Sequence, residues 1–143
     1  MEYQFLDDAF TADIGFRATG DSAEDMIRAA AEATIKVMVD NVDAIAGVVT
    51  KRIELEAESL EMALFDLLGE LIFYKDAEQL LLRVEQVTVT RQSQRIGLTA
   101  ETRGEKINRQ KHRLLVDVKA VTMHRFQIEE TPHGWTATVV LDI

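Results

Sequence analysis

Beyond Leu80 the apolar residues of this chain recur at every second position, whereas before it they recur mainly at every third and fourth. That change of period, more than any other feature, limits what the chain can fold into, because side chains alternate along a strand and return every 3.6 residues along a helix. Leu80, Leu82 and Val84 set the alternation, and Val87 and Val89 take it up on a shifted phase, which predicts a β-bulge near Glu85-Gln86. Ile96, Leu98, Ala100 and Thr102 continue it, then Val116, Val118 and Ala120, then Phe126 and Ile128. The turn residues Pro132-His133-Gly134 precede a last alternating run of Trp135, Ala137, Val139 and Leu141. The second half therefore reads as mostly antiparallel sheet.

The first half opens with strand-like segments at Tyr3 to Phe5 and Ile14 to Thr19. Ser22-Ala-Glu-Asp25 has the capping-box pattern, with an oxygen acceptor at the cap and an acid three residues on, so a helix starts there. Its apolar stripe is Ile27, Ala30, Ala31, Thr34, Val37 and Met38, and it ends near Val39-Asp40-Asn41. Lys51 to Ala57 alternates as a half-buried strand, and Ser59 caps a second helix with the stripe Leu60, Ala63, Leu64, Leu67, Leu68, Leu71 and Ile72. Phe65 and Phe73 widen that stripe enough that both sides of the helix need cover. The expected fold is an α+β, two-layer domain: two helices packed on a mostly antiparallel sheet of about seven strands. No repeat or Pro/Gly/Ser linker divides the chain, so residues 1–143 read as one domain.

Composition narrows the chemistry. With no cysteine there is no disulfide scaffold, thiolate nucleophile or sulfur-ligated zinc. The N-terminal stretch carries acids where a signal peptide has bases, and no apolar run could span a bilayer, so the expected location is the cytoplasm, away from membranes. A formal net charge of -9 is the wrong sign for gripping a phosphate backbone, so no direct nucleic-acid binding is expected. Bases do gather at Arg91, Arg95, Arg103, Lys106, Arg109, Lys111, His112 and Arg113, as a solvated loop and strand face would, or a docking patch for an acidic partner. P-loop, GxSxG, HExxH and dinucleotide fingerprints are absent, and three histidines leave little for general-base catalysis. An intrinsic enzyme is disfavoured.

Acids mark the remaining chemistry. Asp142 ends the last strand and the carboxylate of Ile143 follows, while Asp7, Asp8 and Asp13 cluster between the first two strands. Clustered carboxylates repel unless water, a base or a cation compensates, and hard oxygen ligands favour calcium, magnesium or manganese. Asp66 and Glu70, one helical turn apart, have the spacing of an acid/base pair but more simply make a polar strip. His124 and Lys119 read as structural strand residues, and Asp40 as a helix or turn terminator.

Phe5-Leu-Asp, Thr11-Ala-Asp-Ile-Gly15, Lys119-Ala-Val-Thr-Met-His124 and the terminal Asp142-Ile143 together resemble the spaced motifs of the archease family. The Ser22 helix start, Val37-Met-Val-Asp40 and Gly104-Glu-Lys106 fall in matching order between them, so the resemblance spans almost the whole chain. It implies a non-enzymatic accessory protein that assists a GTP-dependent RNA ligase in tRNA splicing and RNA repair, promoting guanylylation of the ligase and multiple turnover. It also implies a divalent cation, most readily calcium with magnesium or manganese as alternatives, held by Asp13 and Asp142 with the Ile143 carboxylate as a third ligand. One position departs: Phe10 stands where the family pattern has histidine, and a phenyl ring neither exchanges a proton nor ligates a metal. Two other classes fit the same acids and apolar helix: a metal-dependent phosphoester hydrolase, and a general protein-interaction or chaperone module.

Overall fold

The computed structural model describes residues 1–6 and 13–143. In chain order the elements are β1 (Glu2–Leu6), β2 (Asp13–Gly20), α1 (Ala23–Met38), a 3-10 turn (Val42–Ala44), β3 (Val49–Ala57), α2 (Leu60–Glu78), β4 (Leu80–Gln92), β5 (Arg95–Lys106), β6 (Ala120–Thr131) and β7 (Gly134–Asp142). The α+β expectation of two helices and seven antiparallel strands holds. The strands divide between two sheets, with orders β1-β2-β7-β6 and β3-β5-β4. Both helices touch strands of both sheets. The apolar girth of α2 supplies the reason, since one sheet covers one side of a helix and Phe65 on another packs against Phe126 of β6, whereas Phe73, expected to need cover as well, is 55% exposed.

Both helix starts form as their sequences dictate. Ser22 Oγ accepts the Asp25 N–H at 3.1 Å and Ser59 Oγ accepts the Met62 N–H at 3.2 Å. The Asp25 carboxylate closes its side of the box one residue further back than expected, on the Asp21 N–H at 3.3 Å. Phe16 and Ala18 of β2, Met26 and Ile27 of α1, and Leu64 and Leu68 of α2 belong to one continuous buried cluster. The bulge expected in β4 is present, as a register shift between Val84 and Gln86. No helix among the described residues is long and apolar enough to cross a membrane.

Two expectations need correction. The alternation from Val116 does not begin a strand: β6 starts at Ala120, and Val116 is exposed. Residues 114–116 spend their hydrogen bonds on the end of α1, with Leu115 N–H donating to the Met38 carbonyl at 2.9 Å and Leu114 bridging to Val39. A strand forms only where a ladder partner is free, and here the helix terminus takes that role. The second correction is His112, which is 2% exposed and lies inside a run expected to be solvated.

Candidate metal centre at the paired strand ends

β2 and β7 are neighbours, and their register sets Asp13 directly opposite Asp142, with Ile14 opposite Leu141. Opposed residues of an antiparallel pair share a face, with Cβ atoms about 4.5–5.5 Å apart. Leu141 and Val139 alternate with Asp142 into the core and are fully buried, which holds the strand against sliding by one residue. On the other side of β7, Asp142 pairs with Ala120, and its carbonyl accepts the Lys119 N–H at 2.8 Å. An early strand and the last strand are thus fastened side by side, and Ile143 follows at the same sheet end.

Asp13, Asp142 and Ile143 are all half-buried. Among the described residues, neither aspartate side chain has a salt-bridge or hydrogen-bond partner. Two like charges directly opposed across a ladder are destabilising when nothing neutralises them. The donors that Asp13 and Asp142 offer are carboxylate oxygens. This set fits a hard divalent cation, and calcium tolerates such irregular oxygen shells best. Among the described residues no group of three His, Cys, Asp or Glu side chains is placed to hold a metal. Asp7, Asp8, Phe10 and the Thr11-Ala12 pair lie outside the described residues.

The other sequence candidates scatter. Lys119 is exposed, and it meets the site through its main chain. His124 sits on a wide bulge where β6 spends the four residues between Thr122 and Gln127 against the one between Val140 and Thr138. The bulge carries Arg125 at φ 55, a left-handed conformation uncommon outside glycine. The backbone N–H of His124 donates to Thr122 Oγ1 at 3.3 Å. Asp66 and Glu70 line a groove of about 530 Å³ with Arg52 and Glu54 of β3, far along the sequence from the paired aspartates. Asp40 is a tie, accepting from Arg113 Nη1 at 3.1 Å.

Two buried polar centres escaped sequence reasoning. Lys75 is 8% exposed, and its ammonium donates to the Val118 carbonyl at 2.7 Å and pairs with Asp117 and Asp76. It thereby anchors the segment that enters β6 beside Asp142. The signal was legible, since Lys75 continues the helical stripe through Leu64, Leu68, Leu71 and Ile72. The second centre is Glu105, whose carboxylate accepts the Ala46 N–H at 2.8 Å, Lys111 Nζ at 2.6 Å and His112 Nε2 at 2.8 Å. The Ala46 N–H and then Lys111 and His112 hold its pKa down to about 2. His112 Nδ1 accepts the Asn108 N–H at 3.0 Å, which leaves the ring proton on Nε2, facing Glu105. Part of the basic run is accordingly spent on internal ties: Arg95 on Glu56, Lys111 and His112 on Glu105, and Arg113 on Asp40.

The fold and the acidic strand ends define a class: a small α+β domain in which two helices pack against a four-stranded and a three-stranded antiparallel sheet, with two acids paired at the end of one strand ladder. The family model described as the Archease protein family (MTH1598/TM1083) matches residues 3–143. The archease of Pyrococcus abyssi is 39% identical over 134 residues, covering 93% of this chain and 94% of that protein. The archease of Methanosarcina barkeri is 33% identical over 143 residues, covering 99% and 96%. The solution structure of Methanobacterium thermoautotrophicum protein 1598 superposes with a TM-score of 0.85 at 31% identity, covering 99% of this chain and 98% of that one. A Thermotoga maritima archease, described as a possible chaperone, shares the fold with a TM-score of 0.64 at 21% identity, over 94% and 93% of the two chains. This chain belongs to the archease family.

Proposed function

We propose that this protein is a cytoplasmic accessory factor that promotes guanylylation of a GTP-dependent RNA ligase in tRNA splicing and RNA repair, and that its cation site is required for that stimulation. The observation that carries this reading is the direct cross-strand pairing of Asp13 with Asp142, two carboxylates with no salt-bridge or hydrogen-bond partner among the described residues, where the family resemblance expects the metal ligands. Asp13, Asp142 and the Ile143 carboxylate would hold the ion, most readily calcium. The bound cation supplies positive charge at an otherwise acidic strand end. The residues themselves do the positioning: the Lys119 N–H fixes the Asp142 carbonyl, and Lys75 fixes the preceding Val118. A net charge of -9 favours contact with the ligase over contact with its RNA. Stimulation by such a factor requires that it bind two ligase states with different affinity.

The test is a guanylylation assay with purified ligase from the same organism, using wild-type protein and the Asp13→Ala and Asp142→Ala variants. Loss of stimulation by both folded variants supports the reading, and wild-type stimulation by both rejects the site. The description of the Thermotoga relative favours a second reading, a general chaperone. Rescue of an unrelated aggregation-prone protein as effectively as the ligase would select it.

A further inference from the structure

Away from the paired aspartates, three arginines from three elements line one cavity of about 450 Å³: Arg28 of α1, Arg83 of β4 and Arg103 of β5. Arg83 and Arg103 are direct cross-strand partners, so two guanidinium groups leave the sheet side by side on one face. Like charges so opposed cost stability, and a sequence keeps them where something else repays the repulsion.

The carboxylates present satisfy the three unequally. Glu32 grips Arg83 with a fork, at 2.6 Å from Nη2 and 3.4 Å from Nε, and Asp43 adds a longer contact. Partial burial lowers the pKa of Arg83, but Glu32 and Asp43 more than offset this and leave it raised. Arg103 reaches Glu85 only at 3.9 Å, and that carboxylate is itself 54% exposed. Its one short bond is Nη2 to the Gly47 carbonyl at 3.1 Å. A Cβ at Gly47 would stand 2.9 Å from Arg103 Nε, so the bare glycine backbone seats the guanidinium. Arg28 touches Asp25 only at 4.0 Å, since Asp25 lies nearer the Met1 amino group at 3.2 Å. Among the described residues, Arg28 Nε is buried without a hydrogen-bond partner.

We propose that this basin binds a phosphate-bearing small molecule, with its oxyanion between Arg28 and Arg103 and with the Glu32-held Arg83 as the cationic wall behind. Forked guanidinium donors arriving from several directions suit a tetrahedral anion with many oxygens. The volume lies in the range of small-molecule sites, and the overall acidity of the chain opposes an extended polyanion. The assignment is independent of the cation site, since it uses none of Asp13, Asp142 or Ile143.

Isothermal titration calorimetry on the full chain tests it, with inorganic phosphate in one arm and a nucleoside 5′-monophosphate in the other. Wild-type protein is expected to bind at one site. Arg28→Met and Arg103→Met should each weaken binding by about tenfold or more, while Arg109→Met, outside the basin, binds as wild type. Arg28→Lys keeps the charge and loses the fork, so it should also weaken binding, and it decides the matter if Arg103→Met fails to fold. Tighter binding of the ester shows that its organic body occupies the cavity, and equal binding shows that the phosphate group alone is recognised. The proposal is overturned if neither anion binds at millimolar concentration, or if folded Arg28 variants bind as wild type.

Discussion

Replacing Glu105 with glutamine should destabilise the protein near neutral pH and cease to matter in acid. Three donors converge on this carboxylate: the Ala46 N–H, Lys111 and His112. Glutamine offers a single acceptor oxygen and turns an NH₂ group toward the remaining donors, so at least one of them is orphaned. The pKa falls from 4.5 to about 2 on folding, nominally ~3 kcal/mol of linkage at about 1.4 kcal/mol per unit. The side chain is 16% exposed and Lys111 is more exposed, so solvent screening reduces the expected contribution to about 1–2 kcal/mol. For a chain of this size that is roughly 3–8 °C in Tm. Because the folded pKa is depressed, the stabilisation is present in full above the unfolded value of 4.5 and is lost as pH falls toward about 2. Thermal melts of wild type and Glu105→Gln at pH 7, 5, 4 and 3 should show a gap that is constant at first and clearly smaller at pH 3. A gap absent at pH 7, or one undiminished at pH 3, would refute the reasoning.

Gly104→Ala should be among the most damaging single substitutions, since its Cβ would lie 1.7 Å from the Leu81 carbonyl oxygen and only backbone movement could relieve the clash. An expected loss of about 3 kcal/mol or more would appear as a lower denaturant midpoint, and a wild-type midpoint would contradict the close approach of β4 and β5. Lys75→Met keeps the helix and its packing but strips the Val118 carbonyl of its donor, at a cost of about 1–3 kcal/mol. Amide exchange at Lys119, whose N–H holds the Asp142 carbonyl, should accelerate more than exchange in β4, and uniform exchange would show that the anchor does not reach the site.

What the sequence disclosed follows its periodicities. The Ser22 and Ser59 caps, the core stripe of α2 and the bulge beside Glu85 are local patterns with one physical reading, and each appears where that reading puts it. The division into two sheets was hidden, because alternation along a strand says which face is buried and nothing about which neighbour lies alongside. Val116 and Val118 carry the same alternation as the true strands, and only the long-range competition from the end of α1 shows why no ladder forms there. The candidate site was half legible. Asp13 and Asp142 stood out as acids at element ends, but their adjacency depends on β2 and β7 being neighbours, a pairing across nearly the whole chain. His112 and Glu105 were missed because a basic run gives no sign of the one ring that turns inward.

The central claim is that Asp13 and Asp142, drawn together by the β2–β7 register, hold one divalent ion. Calorimetric titration of calcium into the wild-type protein and the Asp142→Asn variant tests it most directly. The account predicts saturable binding of a single ion by the wild type, weakened by about tenfold or more in the folded variant, which loses a charged ligand while keeping its shape. Absence of saturable binding to the wild type, or equal binding by the two proteins, would contradict it.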